Sequence, residues 1–344
     1  MEFSFWQVLA KFGLAVDEGN LGCIFGAMEI AVFSPYSLTS PKGNTITTQR
    51  LVSLLGNLGC SAVAVDDSAS VGTPDVLIAL HATRSLSVSR EYKSQRLDGQ
   101  LWVYLTGTDI YAADQSSADL AEALGMADVI MVSQSAIVQS LAEEFRDKCA
   151  VIPASVFLPE LPQVIDSSSS DSTKFGFVGH LREVKNPFLM NRAMQLCDGD
   201  LTAVTMGAEL EPGFQEQVEE WQQRDPRFRY LGNVPHAEAL ARLSQLDYSI
   251  NSSFSEGGAN AVAESIVLGI PVLASRIEGN LGLLGEEYVG YYQGDNARSL
   301  ADLMARVMQD QSFARELRQQ TEGLAEYFAP RREQEALAQL LQSS

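Results

Sequence analysis

Cysteine and histidine are scarce in this chain, and the few present are not grouped. The 344 residues include four cysteines, Cys23, Cys60, Cys149 and Cys197, and three histidines. The cysteines are scattered and form no CxxC pair, which argues against a disulfide framework and against a cysteine metal site. We expect free thiols and a cytoplasmic protein.

Basic charge is also in short supply. Lys and Arg number 24 against 44 Asp and Glu, giving a formal net charge of -20. This balance argues against nucleic acid or an anionic membrane as the main partner. The alternative is that the acidity only keeps the surface soluble. Any anionic substrate must be held by helix N-termini and a few placed cations.

Long apolar runs are missing. No run reaches about 18 residues, so we expect no membrane span. The first residues have neither a basic n-region nor a long apolar h-region, and do not form a convincing signal peptide. The segment "MEIAVFSP" begins at Met28 and predicts a first strand, so residues 1–27 are expected to be a flexible extension.

Several motifs of known chemistry are absent. The patterns GxGxxG and the P-loop are missing, which argues against dinucleotide oxidoreductases and NTPases. Neither GxSxG nor HExxH occurs, so hydrolases and zinc enzymes have no support.

The chain does contain short apolar strands that alternate with helical patterns, which is typical of parallel α/β layers. The length favours two domains. The predicted strands form two series: residues 29–33, 61–65, 75–80, 101–105 and 129–133, then 174–179, 201–207, 228–232, 247–252 and 271–275. The closing run from Ser312 onward is predicted to be helical.

A Ser/Asp-rich stretch separates the two series and predicts a linker. The predicted fold is two Rossmann-like doubly wound domains that face each other across a cleft, where ligands bind at the carboxyl ends of the strands. The predicted order is an extension, a first domain, a linker, a second domain and a C-terminal helix that packs back on the first domain: 1–27, 28–160, 161–173, 174–322 and 323–344.

The stretch "FSEGGANAVAESIVLGIPVLAS" places Glu256 and Glu264 eight residues apart around Gly257 and Gly258. The glycines let a backbone approach a ligand closely, and a helix N-terminus follows that can bind an anion. Fully helical spacing would separate the glutamates by ~12 Å along the axis. That distance suits two hydroxyl-bearing parts of one ligand. The alternative is one solvated glutamate and one capping glutamate.

This segment resembles the motif of family 4 retaining glycosyltransferases of the GT-B fold. The segments "FGFVGHLREVKNP", "RFRYLGNVPHAEALARLSQLDYSI" and "ADVIMVSQSAIVQSLAEEF" fit the same family. The resemblance covers nearly everything from Met28 onward. It implies two Rossmann-like domains and transfer of a sugar from a nucleotide-sugar.

A narrower resemblance is to the selenosugar synthases of selenoneine biosynthesis. It is carried by "LTGTDIY", "GHLREVKNP", "SEGGANAVAES" and above all "SRIEGNLGLLG". Those enzymes join a UDP-sugar, typically UDP-N-acetylglucosamine, to selenophosphate through a carbon–selenium bond.

The resemblance implies roles in the second domain. Glu264 is expected to bind the ribose hydroxyls, Glu256 to contact the transferred sugar, and Lys185 to balance charge on the departing UDP. The other predicted donor-site residues are Gly179, Gly257, Gly258, Ala259 and Asn260. The family's usual arginine after the loop glycine is replaced by His180, with Arg182 two residues on. A structural role is the alternative for His180.

The first domain is expected to bind the acceptor. His81 ends a predicted strand and is counted among the catalytic residues, with a structural histidine as the alternative. Acceptor contacts are predicted at the carboxyl ends of the strands and on the loop after the first strand: Lys42, Gly43, Asn44, Arg84, Thr106, Asp109 and Arg276.

Three functions are therefore compared. The first is a selenosugar synthase, the second a sugar transferase with a hydroxyl acceptor, and the third a non-catalytic nucleotide-sugar binding protein. We expect no metal or other cofactor besides the UDP-sugar co-substrate, because GT-B enzymes use helix dipoles and cations instead.

Overall fold

The computed structural model describes residues 28–39, 43–111, 118–164 and 172–343. The predicted extension 1–27, the predicted acceptor residue Lys42 and most of the predicted linker lie outside the described residues.

The first domain is built on a six-stranded sheet in which every pairing is parallel and the order is β2-β1-β3-β4-β5-β6. All five residues of β3 are buried, as expected for a strand covered on both faces. In chain order, the strands β1 to β6 are Glu29–Phe33, Ser61–Val65, Val76–Leu80, Gln100–Tyr104, Val129–Val132 and Cys149–Val151. The helices α1 to α6 are Gly43–Asn57, Leu86–Gln95, Thr108–Tyr111, Ala118–Met126, Ser135–Ser140 and Glu143–Arg146.

The second domain repeats this architecture with another strand order, β12-β11-β10-β7-β8-β9, again with parallel pairings. Its strands β7 to β12 are Thr173–Val178, Leu201–Met206, Phe228–Tyr230, Tyr248–Asn251, Val272–Ser275 and Tyr291–Tyr292. Its helices α7 to α13 are Leu189–Met194, Phe214–Arg224, His236–Leu243, Asn260–Val267, Glu278–Leu284, Ala297–Gln309 and Gln311–Leu324, and α14 is Pro330–Ser343.

The predicted fold class is confirmed, with three local corrections. All ten predicted strands are present within about two residues of their predicted ends, but the short strands β6 and β12 were not predicted. The closing helical run is not continuous, because a 3₁₀ segment at Ala325–Phe328 separates α13 from α14. Pro330 begins α14, since proline lacks the N–H that a helix interior needs.

The final helix α14 crosses from the second domain to the first. Leu337 and Leu341 pack with Leu51 and Leu54 of α1 in one buried cluster. The fully buried Glu333 lies 2.9 Å from Arg50 Nε. It also accepts hydrogen bonds from the backbone N–H and the hydroxyl of Ser155.

Each sheet has one point at which its strand order reverses, between β1 and β3 in the first domain and between β7 and β10 in the second. Ligands of doubly wound sheets bind in the crevice beyond the carboxyl ends of the strands at such a point. His81 directly follows β3, Gly179 follows β7, and the loop 252–259 follows β10. The sequence therefore directs its candidate site residues to these two reversal points.

Candidate active site

Lys185 and Glu256 form a bidentate ion pair beside the reversal point of the second sheet. Lys185 Nζ donates to both carboxylate oxygens of Glu256 at 2.6 and 2.8 Å. The side chain of Glu256 is 6% exposed, whereas that of Lys185 is 27% exposed. The loops that carry them are joined, because Ser252 donates to the carbonyls of Lys185 and Asn186.

Glu256 is held in its ionised form. Burial by itself raises the pKa of this carboxyl, but the ammonium of Lys185 and hydrogen bonds from Lys185, Ser253 and Asn251 together outweigh burial and lower the pKa. The pair thus provides a fixed anion and a partly exposed cation at one point. Such a pair can accept hydrogen bonds from hydroxyl groups and balance the charge of a phosphate.

A chain of short polar side chains fixes the orientation of Glu256. Ser253 Oγ donates to Glu256 at 2.5 Å and Asn251 Nδ2 donates at 3.2 Å. Asn280 in turn donates to Asn251 at 2.9 Å and to the carbonyl of Ser275 at 2.8 Å. None of these supporting residues was singled out from the sequence. The run "NSSFSE" directly after a buried strand is the signal that could have identified the first two.

Glu264 lies in α10 and is paired with a residue that was not named as a site residue. His236 Nε2, at the first residue of α9, is 2.8 Å from Glu264 Oε1. The hydrogen bond to Glu264 raises the pKa of His236, against the lowering effect of burial. His236 belongs to the segment "RFRYLGNVPHAEALARLSQLDYSI" that fits the family, so the sequence already contained this signal.

The N-terminus of α10 faces the same region. Ala259 precedes this eight-residue helix and has no side chain that can cap it. The first N–H groups of a helix lack intrahelical partners and favour an anion. Asn260, the first helical residue, also lies near the first domain, because a Cβ on Gly43 would lie 3.5 Å from Asn260 Nδ2.

Gly257 needs its missing side chain for a contact that was not predicted. A Cβ on Gly257 would lie 2.1 Å from the Cα of Gly107 in the first domain, and one on Gly107 would lie 2.5 Å from the Cα of Gly257. Gly107 also has φ +100°, which disfavours other residues. We predicted that Gly257 lets the protein backbone approach a ligand closely. This prediction is corrected in part, because the backbone of the other domain occupies the space next to Gly257. Gly258 is less restricted, because a Cβ there would lie 3.2 Å from the hydroxyl of Ser133.

The loop after β7 carries Gly179, His180 and Arg182. His180 Nδ1 accepts from the backbone N–H of Ala208 at 3.2 Å, which fixes the ring against the neighbouring loop. A Cβ on Gly179 would meet the ring of Phe177 at 3.2 Å. Arg182 Nε lies 3.4 Å from Glu211, and both side chains are partly exposed. The place of the family's missing arginine is thus taken by a histidine bound to backbone.

In the first domain, His81 is buried and lies beside Asp109. Its φ of +66° is rare for a non-glycine residue. Burial lowers the pKa of His81 more than the Asp109 carboxylate raises it, so the imidazole is neutral near pH 7. Its Nδ1 accepts a long hydrogen bond, 3.5 Å, from the backbone N–H of Arg84. In the neutral ring the proton is then on Nε2.

Asp109 supports the turn at the end of β4. Its carboxylate accepts from the backbone N–H groups of Ala82, Thr106 and Gly107 at 3.0, 3.0 and 2.8 Å. These bonds engage both of its oxygens. The geometry therefore fits a residue that fixes the turn and the backbone after His81 better than one that binds an acceptor directly.

Two predicted acceptor residues carry buried polar atoms that are not satisfied. Neither Thr106 Oγ1 nor Asn44 Nδ2 has a hydrogen-bond partner within the part of the chain that the structure describes. Buried polar groups are nearly always paired, so each exception calls for a partner. Both residues adjoin glycines that contact the 257–260 segment.

The predicted acceptor cations are partly engaged. The guanidinium of Arg84 stacks over the ring of Tyr36 at 5.1 Å and that of Arg276 over Tyr291 at 5.3 Å. Lys42 lies outside the described residues. Among the described residues, no group of three His, Cys, Asp or Glu is arranged to hold a metal ion. Nor does any described helix combine the length and apolar character that crossing a membrane requires.

Comparisons with known proteins agree with this fold. Residues 164–323 match the profile of the family described as glycosyl transferases group 1. Over the whole chain, the fold is similar to Anabaena HepE, solved in complex with UDP and glucose, with a TM-score of 0.69, 16% identity and coverage of 92% of this chain and 100% of that one.

Two further solved structures share the fold. Sucrose-phosphate synthase from Thermosynechococcus elongatus has a TM-score of 0.76, 16% identity and coverage of 91% and 98% of the two chains. The pneumococcal O-GlcNAc transferase GtfA, solved with UDP and GlcNAc, has a TM-score of 0.62, 16% identity and coverage of 80% and 58%.

The two parallel six-stranded sheets with flanking helices, shared with these structures over most of the chain, show the GT-B fold. Residues 164–323, which form most of the second domain, are similar to the glycosyl transferases of group 1. The predicted enzyme class is thereby confirmed.

Proposed function

We propose that this glycosyltransferase transfers a sugar from a UDP-sugar and that the donor lies at the reversal point of the second sheet. The observation that carries the proposal is the Lys185–Glu256 ion pair, formed by loops that follow β7 and β10. The uncapped helix α10, which carries Glu264, begins four residues after Glu256. Together they offer two carboxylates for hydroxyl groups, and a cation and a helix dipole for a diphosphate.

The nucleotide is proposed from the similar structures. HepE was solved with UDP and glucose, and GtfA with UDP and GlcNAc. Both share the two-domain arrangement with this chain at low identity. Uridine is therefore the base that we propose.

Each of these residues has a separate role in the proposed transfer. Glu264 accepts hydrogen bonds from the ribose hydroxyls, and Glu256 does so from the transferred sugar. As the bond between the anomeric carbon and UDP breaks, the electron pair leaves with the diphosphate, whose charge Lys185 and the N-terminus of α10 stabilise. His180 and Arg182 border the same loop. The reaction proposed here needs no metal ion.

We further propose selenophosphate as the acceptor and UDP-N-acetylglucosamine as the donor, which makes the chain a family 4 selenosugar synthase of selenoneine biosynthesis. The sequence segments around Gly107, His180, Gly257 and Arg276 support this narrower proposal. The selenium atom attacks the anomeric carbon, so a carbon–selenium bond forms while the carbon–oxygen bond to UDP breaks. A strongly nucleophilic selenium needs little help from a general base.

The acceptor side belongs to the first domain in this proposal. The unsatisfied Thr106 Oγ1 and Asn44 Nδ2 are available to an acceptor, and the neutral His81 lies nearby at the reversal point of the first sheet. A reducing cytoplasm suits the described thiols Cys60, Cys149 and Cys197, all of which are free.

A hydroxyl-bearing acceptor, as in polysaccharide or glycolipid assembly, is the second candidate. It keeps the same donor site and changes only the first domain's ligand. A binding protein without catalysis is the third candidate, and the bidentate Lys185–Glu256 pair weighs against it.

The test is a mass-spectrometric assay of the purified chain with UDP-N-acetylglucosamine and fresh selenophosphate. Parallel reactions contain thiophosphate, phosphate or no acceptor, and a Glu256→Gln variant is the matched control. We expect a sugar with the selenium isotope pattern in the selenophosphate arm, and its sulfur counterpart with thiophosphate.

Each candidate predicts a different result. Donor binding without any selenosugar, followed by product with a hydroxyl acceptor, would favour the second candidate. Binding of UDP-sugar without acceptor-dependent UDP release under any condition would favour the third.

A further inference from the structure

Gln134 of the first domain bonds to a loop and to a helix of the second. It lies two residues after β5, directly before α5, and is fully buried. Its Nε2 donates to the carbonyl of Gly257 at 3.1 Å and to that of Gly279 at 3.2 Å. Its neighbour Ser133 donates to the same carbonyl of Gly257 at 3.0 Å. The two segments held in this way are the loop 252–259, called the donor loop below, and the start of α11.

Four glycines make this approach possible. Gly107 and Gly257 touch through their backbones, as described above. A Cβ on Gly282 would lie 1.6 Å from Gln134 Oε1, and one on Gly279 would lie 2.0 Å from the carbonyl oxygen of Glu256. The side chain of Gln134 therefore packs directly against α11. No residue larger than glycine fits at these four positions.

Stability alone does not explain a buried side-chain amide at position 134. Since Nε2 faces two carbonyl oxygens, the amide is oriented by the chemistry of its partners. This leaves Oε1 buried with no hydrogen-bond partner among the described residues. An unsatisfied buried acceptor costs free energy that an apolar side chain of the same shape would not cost. A residue that costs stability at a domain interface is expected to serve function.

What Gln134 adds is the alignment of the two domains. Glu256 is already oriented by Lys185, Asn251 and Ser253, all of its own domain. The bonds from Ser133 and Gln134 instead fix the donor loop relative to the carboxyl ends of the first sheet, where His81 and Thr106 lie. A sugar and an acceptor that are held on different domains react only if the two domains place them at the right distance and orientation.

We infer that Gln134 is a positioning residue that sets the distance between the donor loop and the acceptor side of the cleft. This inference rests on the proposed sugar transfer. It assigns Gln134 no contact with substrate, so its loss changes the transfer step and leaves donor binding intact.

The test compares Gln134→Met with wild type. Met keeps the length and removes both donated bonds together with the unsatisfied oxygen. The exposed Gln139 lies in the helix that follows, and Gln139→Met is the matched control. We expect Gln134→Met to keep the melting temperature and the Kd for UDP while the transfer rate falls roughly 10- to 100-fold. Gln134→Glu, whose carboxylate cannot donate to the two carbonyls, is expected to lose at least as much.

Two results would overturn the inference. One is a Gln134→Met variant that transfers as fast as wild type. The other is a variant whose transfer rate, UDP affinity and melting temperature fall together, because that describes a purely structural residue.

If wild type itself shows no transfer, the proposed function fails while the positioning role is still measurable. Amide hydrogen exchange of residues 255–259 then reports on the same bonds. Faster exchange in Gln134→Met than in Gln139→Met supports the positioning role, and equal exchange contradicts it.

Discussion

Lys185 and Glu256 illustrate how an ion pair depends on the burial of its partners. A second lysine, Lys93, is equally exposed at 26% but is paired with Asp128, whose side chain is 43% exposed. Glu256 is 6% exposed. Removing the cation leaves a buried carboxylate unpaired in one case and a solvated one in the other.

We therefore predict that Lys185→Met lowers the free energy of unfolding by roughly 3 kcal/mol. The double variant Lys185→Met/Glu256→Gln should recover most of this loss, because it removes the charge as well. Thermal melting measures both. Lys93→Met is the control and should cost less than about 1 kcal/mol; equal losses for the two lysines would contradict the account.

Glu264 is predicted to carry donor affinity. Glu264→Ala removes the acceptor of two ribose hydrogen bonds and should weaken UDP binding by roughly 10- to 100-fold. Isothermal titration measures the effect. Glu238→Ala in α9, which loses only the pair with Arg242, should bind UDP like wild type. Unchanged affinity in Glu264→Ala would remove Glu264 from the site.

The pair of His236 with Glu264 makes the stability of the fold depend on pH, in a direction that follows from the raised pKa of His236. Because the pKa of His236 is raised by Glu264, the pair stabilises the fold fully below the ordinary value of about 6.5. The stabilisation is lost as the pH rises through the raised pKa. The melting-temperature gap between wild type and His236→Gln should thus be larger near pH 6 than near pH 8.5. In a Glu264→Gln background, the melting-temperature gap should be the same at both pH values. A gap that grows with pH would contradict the stabilising pair of His236 and Glu264.

Motifs in the sequence predicted candidate site residues but not the partners that the structure gives them. Lys185 and Glu256 are 71 residues apart and follow different strands, so no local pattern reveals that they bond. Gln134 lies within the segment "ADVIMVSQSAIVQSLAEEF" that resembles the family, but nothing in that segment shows that its amide bonds to a loop and a helix of the other domain. The glycine at position 257 was predicted to approach a ligand, because sequence cannot show that Gly107 lies opposite.

Among the elements, α14 joins the two domains through Glu333. This fully buried carboxylate pairs with Arg50 Nε and accepts two hydrogen bonds from Ser155. Its removal leaves the Arg50 guanidinium buried and unpaired.

Glu333→Ala is predicted to destabilise the protein by about 3–5 kcal/mol, seen as a lower melting temperature. The control is Glu335→Ala, two residues along the same helix, whose side chain is 58% exposed. It should stay within about 0.5 kcal/mol of wild type. Similar effects at both positions would mean that α14 is not anchored through this pair.

The sequence predicted strands correctly where both faces of the strand are buried. Strands such as β3 and β11 are wholly buried and appear as continuous apolar runs. The strands β6 and β12 have three and two residues, which is too short for a pattern. The break before Pro330 could have been predicted from proline's missing N–H.

At the scale of the whole molecule, the bonds of Ser133 and Gln134 and the contact of Gly107 with Gly257 hold the carboxyl ends of the two sheets together. Hydrophobic patterning determines each core, but it carries little information on how two finished domains meet. That arrangement depends on glycine contacts and buried amides, whose partners lie far away in sequence. The central claim, a UDP-sugar site at the reversal point of the second sheet, is therefore best tested on the intact chain.

The most direct measurement is amide hydrogen exchange of the full chain with and without UDP. We predict slower exchange on UDP binding in residues 179–185, 256–264 and around His236, with strands β1 to β3 of the first domain unchanged. Protection confined to the first domain, or no protection at saturating UDP, would contradict the donor site described here.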